Sequence, residues 1–289
     1  MKTIVISGCN GFIGNSLLNE LKDKEYKIIP IDIKIGIDLS DWNSVKNIPS
    51  FDLFIHLANL TYVPDSYKNP LNFYHLNYLT TLHALELCRK YNAKCIYLSS
   101  YIYGKPDYLP VDEKHVLKPF NPYAQTKYIN ESLCQAYFRD FNVTTTILRP
   151  FNIYGPFQKG EMLIPTIIKK VKQNEKTIQL KDPSPRRDYV YVTDVVKAIL
   201  YCMNLDFEEV ETFNICSGKS YSVLEITDII NSFLHNKVEF LFGVTDRINE
   251  IIDTLGSYEK LKKKTGWEPD FDFKEGIKNL LISEDIINS

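Results

Sequence analysis

Short apolar stretches alternate with longer amphipathic stretches from the N-terminus to Pro150. The apolar stretches predict β-strands at residues 3–7, 28–33, 51–57, 94–99 and 143–148. Between them, apolar residues at helical spacing predict helices at residues 14–21, 70–89 and 121–141. Strands that are almost continuously apolar and that alternate with helices are typical of a parallel sheet covered on both faces. We therefore expect an α/β protein with a Rossmann-type doubly wound parallel sheet.

The pattern becomes more charged and irregular after Pro150, which predicts a second structural unit. We expect a main domain over residues 1–155, to which the chain returns at about residues 188–222. Residues 156–187 and 223–289 would then form a smaller C-terminal lobe. We expect this lobe to bind the substrate.

A glycine-rich turn follows the first predicted strand and opens the first predicted helix. It reads Gly8-Cys-Asn-Gly11-Phe-Ile-Gly14. One glycine allows the tight turn, one lets the backbone approach a pyrophosphate, and one lets the helix pack closely on the strand. The helix N-terminus adds free N–H donors and a partial positive charge. The sequence thus predicts a dinucleotide site; a purely structural turn is the alternative.

The predicted cofactor contacts extend beyond the glycines. Asp32 closes the second predicted strand, where its carboxylate can accept hydrogen bonds from the adenosine ribose and would repel a 2′-phosphate. NAD is therefore favoured over NADP, although Asp32 could simply cap the next turn. The expected cofactor residues in these segments are Gly8, Asn10, Gly11, Phe12, Ile13, Gly14, Asp32, Asp38 and Leu39.

The pattern Tyr-x-x-x-Lys occurs three times, so its context must identify a functional copy. The copies are Tyr101/Lys105, Tyr123/Lys127 and Tyr258/Lys262. The first is followed by proline, which disfavours a helix, and the third lies far from the glycine turn in sequence. The second follows Asn-Pro, a strong helix start. Residues four apart share a helix face, so Lys127 should lie beside Tyr123.

This pair suits proton transfer coupled to hydride transfer. A free tyrosine has a pKa of about 10, which a neighbouring ammonium and an oxidised nicotinamide lower. Tyr123 could then accept a proton from a hydroxyl group as hydride leaves for the cofactor. Lys127 could also bind the cofactor by holding the nicotinamide ribose. Ser99 closes the preceding strand, where its hydroxyl could bond the same substrate oxygen or merely cap the strand end.

Composition and charge exclude several other classes of protein. The chain is 44% apolar and 24% charged with a net charge of −2, which gives no basic surplus for nucleic acid. No apolar stretch approaches the roughly 18 residues of a membrane helix, and the N-terminus lacks a signal peptide layout. The six cysteines are scattered and the five histidines lack metal-ligand spacing. We expect a cytoplasmic enzyme without a metal.

Several further motifs occur in a fixed order, and together they resemble the extended short-chain dehydrogenase/reductase family. Within it, the chain is similar to the NAD-dependent sugar-nucleotide epimerases and dehydratases. The motifs are GCNGFIG at 8–14, HLAN at 56–59, SSYIYG at 99–104, PYAQTK at 122–127, LRPFNIYGP at 148–156, RRDYVYVTDV at 186–195 and FNICSG at 213–218.

The resemblance implies roles for individual residues. Tyr123 and Lys127 would be the catalytic pair, and Ser99, four residues before Tyr103, would be their hydroxyl partner. Leu57 and Ala58, beside His56, would line the cofactor, and Asn77 would brace the site. Asn152, Arg187 and the weaker candidate Arg247 would hold the substrate, with arginine suited to its diphosphate. His56 and Asn77 could instead be structural, and Arg187 could form a surface ion pair with Asp188.

The chain also departs from the family pattern. Asn59 stands where alanine or glycine is usual. The Asp-Glu pair of the 4,6-dehydratases is replaced by Ser100-Tyr101, so elimination of water would lack its acid and base. The expected reaction is therefore epimerisation at C4 of a nucleotide-diphosphate sugar through a transient 4-keto intermediate. The alternatives are a 4-keto-sugar reductase that uses external NADH or NADPH, and a non-catalytic NAD sensor or scaffold. The resemblance also implies a homodimer built from the long helices.

Overall fold

The computed structural model describes residues 1–159, 162–205, 208–243 and 251–288. The strands are β1 (Lys2–Ser7), β2 (Tyr26–Ile31), β3 (Leu53–His56), β4 (Lys94–Leu98), β5 (Thr145–Pro150), β6 (Asn152–Tyr154), β7 (Thr177–Leu180), β8 (Arg186–Tyr191), β9 (Glu211–Ile215), β10 (Ser220–Ser222), β11 (Glu239–Phe242) and β12 (Asp253–Thr254).

Helices separate most of these strands, and one short 3₁₀ helix (Ile33–Ile35) follows β2. The α-helices are α1 (Phe12–Leu21), α2 (Trp42–Val45), α3 (Val63–Lys68), α4 (Pro70–Tyr91), α5 (Pro122–Phe141), α6 (Leu163–Lys172), α7 (Val192–Met203), α8 (Val223–Phe233), α9 (Glu259–Thr265) and α10 (Phe273–Ser283). Within these described ranges, no helix combines the length and the hydrophobicity needed to cross a bilayer.

The central sheet has six parallel strands in the order β2-β1-β3-β4-β5-β9, which confirms the predicted doubly wound fold. The chain proceeds from β1 outward to β2 and then crosses back to β3 on the other side of β1. Loops that follow β1 and β3 therefore diverge at this switch point. A crevice forms there at the carboxyl ends of the strands, where α/β proteins bind their ligands.

Alternating residues of the strands supply two separate apolar cores. Ile4 and Ile6 face a layer that contains α1 and α7, whereas Val5 faces a layer that contains α4 and α5. All six residues of β5 are buried. Burial on both faces explains why the central strands are apolar without the alternation of a half-exposed strand.

The long helices begin and end where their sequences dictate. The Asn121 side chain accepts a hydrogen bond from the Ala124 N–H, and Pro122 occupies the first turn of α5. Such a cap stabilises a helix by about 1 kcal/mol. The helix ends at Asn142, whose φ of 58° is left-handed. This fixes Tyr123 in the first turn of α5, at the ligand-binding edge of the sheet.

The smaller lobe contains a second sheet in the order β10-β8-β12, with β6 also paired to β8. A two-stranded sheet pairs β11 with β7, and α6, α8 and α10 supply the apolar core of this lobe. Of the segment expected to return to the main domain, β9 joins the central sheet. Strands β8 and β10, at the two ends of that segment, belong to the second sheet.

The predicted element boundaries are wrong at one position that bears on the site. The strand expected at residues 28–33 ends at Ile31, and Ile33 begins the 3₁₀ helix with 71% of its surface exposed. Asp32 caps that helix by accepting a hydrogen bond from the Lys34 N–H. The apolar side chain of Ile33 suggested strand continuation, but the local bond of Asp32 turns the chain.

Candidate active site

The glycine turn is packed so tightly that it excludes side chains at two positions. Gly8 has a φ of +69°, and a Cβ there would lie 2.9 Å from the Ala58 nitrogen. A Cβ on Gly14 would lie 2.2 Å from the Gly8 oxygen. Gly11 offers no side chain to cap α1, so the N–H groups of the first turn remain available to an anion. This cradle fits the pyrophosphate of a dinucleotide.

Asp32 joins the end of β2 to the glycine turn. Its Oδ2 accepts a hydrogen bond from the Asn10 N–H (2.9 Å), and its Oδ1 accepts one from the Lys34 N–H (2.9 Å). The Lys34 ammonium donates to the Asn10 carbonyl (2.7 Å). The carboxylate thus lies beside the dinucleotide cradle, where a ribose hydroxyl can donate to it and a 2′-phosphate would meet its negative charge.

The next two predicted cofactor residues have different environments. The Asp38 carboxylate accepts hydrogen bonds from the Ser40 N–H (2.8 Å) and hydroxyl (2.7 Å). Leu39 is 3% exposed and packs into the core between the sheet and α4, while its carbonyl contacts the His83 ring (2.8 Å). Any contact of Leu39 with a cofactor must therefore come from its backbone.

The end of β3 forms the other wall of the cradle. Ser7 accepts hydrogen bonds from the N–H groups of Leu57 (3.2 Å) and Ala58 (3.3 Å). His56 bonds Ser7 and Thr81 through its two ring nitrogens (2.8 and 3.0 Å). Burial, aided by the charge of Lys127, lowers the pKa of His56 to about 3, so its ring is neutral. His56 thus fixes the backbone of Leu57 and Ala58.

Asn77 braces the site from α4. Its side chain is fully buried and bonds both backbone groups of Leu60 (2.8 and 3.1 Å) and the Thr126 hydroxyl (2.9 Å). The amide therefore ties the segment after β3 to the first turns of α5. Because its side-chain bonds are made within the protein, Asn77 supports the cofactor site from behind.

Tyr123 and Lys127 lie on one face of α5, and the Lys127 ammonium is 5.9 Å from the centre of the Tyr123 ring. The ammonium donates to the Leu98 carbonyl (2.7 Å) and to the Asn59 side-chain oxygen (2.6 Å). Burial lowers the pKa of Lys127 to about 7, although the Glu131 carboxylate opposes this shift. Burial also raises the pKa of Tyr123, against a hydrogen bond from Ser100.

The structure brings Ser100, rather than Ser99, to Tyr123. The Ser99 hydroxyl donates to the Glu131 carboxylate (2.5 Å) and is 3% exposed, whereas Ser100 bonds the Tyr123 side chain. Counting back from Tyr103 selected Ser99. Strand β4 ends at Leu98, and adjacent residues of an extended chain point in opposite directions. The two serines therefore reach different residues of α5: Ser99 bonds Glu131, and Ser100 bonds Tyr123.

The predicted substrate residues lie on the second sheet. Asn152 on β6 donates to the Asp188 carbonyl (3.2 Å), and Arg187 on β8 donates to the carbonyls of Arg186 (2.8 Å) and Ile251 (2.7 Å). The charge of Arg187 lowers the pKa values of Tyr101 and Tyr189, against the larger effect of their burial. Arg187 thus lies close to the residue that follows Ser100. Arg247 lies outside the described residues.

Asp188 is no surface partner of Arg187, because it is completely buried. Its carboxylate accepts hydrogen bonds from the N–H groups of Ser217 (2.7 Å), Gly218 (3.0 Å) and Gly256 (3.2 Å). Burial raises the pKa of Asp188 to about 6, although these bonds favour its ionised form. The Asp188 side chain therefore fixes the loops beside Arg187.

Known proteins are similar to this chain in sequence and in fold. The family model described as "NAD dependent epimerase/dehydratase family" matches residues 4–216. A relative from Methanocaldococcus jannaschii named "Putative UDP-glucose 4-epimerase" is 34% identical over 96% of this chain and 97% of its own length. The GDP-6-deoxy-D-mannose reductase of Pseudomonas aeruginosa is 28% identical over 96% and 95% of the two chains.

A solved structure of UDP-glucose 4-epimerase from Thermotoga maritima with UDP-glucose superposes with a TM-score of 0.89. It is 28% identical and covers 97% of this chain and 98% of that one. The family match spans the glycine cradle, helix α5 and the end of β9. The chain therefore belongs to the NAD-dependent epimerase/dehydratase family, the enzymes that act on sugar nucleotides with NAD as their cofactor.

Proposed function

We propose that this enzyme is an NAD-dependent C4 epimerase of a nucleotide-diphosphate sugar. One observation carries the proposal: Tyr123 lies between a hydroxyl partner, Ser100, and a buried ammonium, Lys127, next to a dinucleotide cradle. The names of the Methanocaldococcus and Thermotoga relatives support an epimerase. The absence of the acidic pair after Ser99 disfavours a dehydratase.

Each residue of this group has a defined task. NAD, when bound, supplies a hydride acceptor and later returns the hydride. Tyr123 takes the proton from the C4 hydroxyl of the sugar, and Ser100 donates a hydrogen bond that holds the reacting oxygen in place. The Lys127 ammonium stabilises the Tyr123 phenolate. After the 4-keto sugar presents its other face, Tyr123 returns the proton to the new hydroxyl.

Rotation of the keto sugar requires an anchor away from C4. Arg187 is suited to the diphosphate, since a guanidinium can bond two phosphate oxygens together. Asn152 lies on β6, opposite Tyr189 of β8, and can bond the substrate through its side chain. We propose that these two residues hold the nucleotide end while the hexose remains free to turn.

A panel of nucleotide sugars, with both epimers and the redox state of the nicotinamide recorded, tests the proposal. An epimerase copurifies with NAD and interconverts a pair of C4 epimers with no net change in reduced nicotinamide. Tyr123→Phe should abolish turnover. Ser100→Ala should lower kcat by about 100-fold, within the range of a lost acid–base or oxyanion contact. Turnover of a keto sugar only with added NADH or NADPH would reject epimerisation.

The second candidate is that 4-keto-sugar reductase, and the Pseudomonas relative named as a reductase favours it. The two reactions use the same serine, tyrosine and lysine, so they differ in whether the hydride returns to the same sugar. A non-catalytic NAD sensor is the third possibility. It would be favoured if Tyr123→Phe retained full biological activity.

We further propose that the enzyme is a homodimer formed through α4 and α5. Large apolar or aromatic side chains remain exposed on these two helices: Leu71, Tyr74, Tyr78 and Tyr128. Leu71, Tyr74 and Tyr78 are three and four residues apart, so they share one face of α4 and form a patch there. Light scattering should give a dimer at micromolar concentration, and Tyr78→Glu should give a folded monomer. A monomeric wild type would reject this assembly.

A further inference from the structure

A buried ion pair lies behind the candidate active site and takes no part in the steps above. The Arg149 guanidinium bonds both oxygens of the Glu131 carboxylate (3.0 and 2.5 Å), and the two side chains are only 7% and 6% exposed. Removing two charges from water is costly, so such pairs are often no more stabilising than apolar residues of similar size. A structural role alone explains this pair poorly.

Glu131 contacts the segment that carries Ser100. Its Oε1 also accepts the Ser99 hydroxyl (2.5 Å), and the Ser99 N–H donates to the Leu148 carbonyl (2.7 Å). Ser99 is thus held on both sides, and Ser100 follows it directly toward Tyr123. Glu131 itself lies on α5, two turns after Tyr123. One carboxylate therefore connects the helix that carries the tyrosine with the strand end that carries its partner.

Glu131 also determines the electrostatic environment of Lys127, which lies one turn before it on the same helix. The titratable or charged groups around this ammonium are Tyr123, Glu131 and Cys134 on α5, His56 on β3, Tyr97 on β4 and, across Glu131, Arg149 on β5. Burial raises the pKa values of Cys134 and Tyr97, and His56 is neutral. Among these groups, Glu131 is the carboxylate, and it raises the pKa of Lys127 against the effect of burial.

We propose that Glu131 is a positioning residue for the reaction. It holds Ser99 so that Ser100 faces Tyr123, and its negative charge keeps Lys127 protonated within the helix. Arg149 bonds both carboxylate oxygens of Glu131 and so holds the carboxylate in the orientation that reaches Ser99. This inference rests on the proposed function, because it assigns a task to Glu131 only if Ser100, Tyr123 and Lys127 carry the chemistry.

Glu131→Gln tests the charge while preserving the size and an oxygen that can accept the Ser99 hydroxyl. The pH profile of kcat is measured with UDP-glucose as the first probe, or with the best substrate of the panel. Loss of the negative charge lowers the pKa of Lys127, so the alkaline limb of the profile should move down by about one pH unit. The KM for the nucleotide sugar should not change, since Glu131 does not reach the substrate.

Ser99→Ala tests the positioning separately, because it leaves the ion pair intact. It should lower kcat by about tenfold, within what a small misplacement of a catalytic group costs, without moving the alkaline limb. Glu131→Asp retains the negative charge, so the alkaline limb of its pH profile should lie at the wild-type position. Glu86→Gln is the matched control: it breaks a two-bond pair with Arg89 (2.9 and 2.6 Å) on the neighbouring α4, at the surface, and should leave kcat and the profile unchanged.

Two results would overturn the inference. One is a Glu131→Gln enzyme whose alkaline limb lies at the wild-type pH. This result counts against the inference even if kcat is lower by the same factor at every pH. The other is Ser99→Ala with wild-type kcat, which decides the positioning role even if Glu131→Gln fails to fold. Activity that survives in Tyr123→Phe and Ser100→Ala would instead reject the proposed function. If Tyr123→Phe and Ser100→Ala are inactive while Glu131→Gln and Ser99→Ala have the wild-type kcat and pH profile, only the role of Glu131 is rejected.

Discussion

Replacing Gly14 by alanine should separate cofactor binding from helix stability. Gly14 lies in α1, where alanine is the better helix former by about 1 kcal/mol. The added Cβ, however, would lie 2.2 Å from the Gly8 oxygen and 2.7 Å from the Cα and oxygen of Cys9. Ordinary contacts begin near 3.4 Å. The helix and the turn must therefore separate by about 1 Å or more, a packing strain of roughly 1–3 kcal/mol.

This separation displaces the backbone that forms the pyrophosphate cradle. Hydrogen bonds to a charged group contribute about 1.5–3 kcal/mol each, so losing two of them weakens NAD binding by about 100-fold or more. Stability should fall by no more than about 2 kcal/mol, because the gain in helix propensity offsets part of the strain. The variant should therefore purify folded but without NAD.

Calorimetric titration with NAD and thermal unfolding measure the two effects. Gly266→Ala is the control, because it makes the same substitution away from the cradle. A Cβ on Gly266 would meet nothing within 4 Å. The φ of Gly266 is +77°, however, which makes alanine unfavourable there by about 1–2 kcal/mol. It should lower stability and leave NAD affinity unchanged. A Gly14→Ala protein that retains stoichiometric NAD and wild-type affinity would refute the assignment of the cradle.

Three further predictions concern Asn59, Arg187 and His56. In Asn59→Ala, the Lys127 ammonium loses its hydrogen bond to the Asn59 side chain, and the released N–H can donate to the nicotinamide ribose instead. Calorimetry should therefore show NAD binding about tenfold tighter, and weaker binding would contradict this. Arg187→Gln should raise the KM for the nucleotide sugar by about tenfold to 100-fold with NAD affinity unchanged, as measured by steady-state kinetics and titration. The pKa of His56 is about 3 in the folded protein and about 6.5 when unfolded, so the unfolded chain binds the extra proton. The free energy of unfolding should therefore fall as pH drops from 6.5 toward 3, and urea titrations of His56→Gln should show a shallower fall.

The fold and the cofactor cradle could be predicted because local sequence determines them. Continuous apolar strands, helical spacing and the glycines of residues 8–14 each act within a few neighbouring residues. The pairing of Tyr123 with Lys127 followed from the four-residue repeat of a helix whose start, Asn121-Pro122, was visible in the sequence. The family model confirms the family to which these motifs pointed.

The identity of the serine beside Tyr123 could not be read in the same way. Ser99 and Ser100 are chemically identical, and the difference between them arises where β4 ends and from the distant Glu131. Asn59 could be recognised as a departure, but its bond to Lys127 spans 68 residues of sequence. The second sheet was missed for a similar reason, since β12 joins β8 across a long stretch of chain and has only two residues.

The buried carboxylate of Asp188 has a consequence for how enzymes of this kind can be recombined. It binds backbone groups that follow β9 and β12, so three separate parts of the chain meet at one side chain. A chimera of two relatives could be made by swapping the C-terminal lobe at a single junction in order to exchange sugar specificity. Such a chimera would combine the loops of one parent with the Asp188 carboxylate of the other. Chimeras should therefore inherit residues 186–218 and 251–257 together.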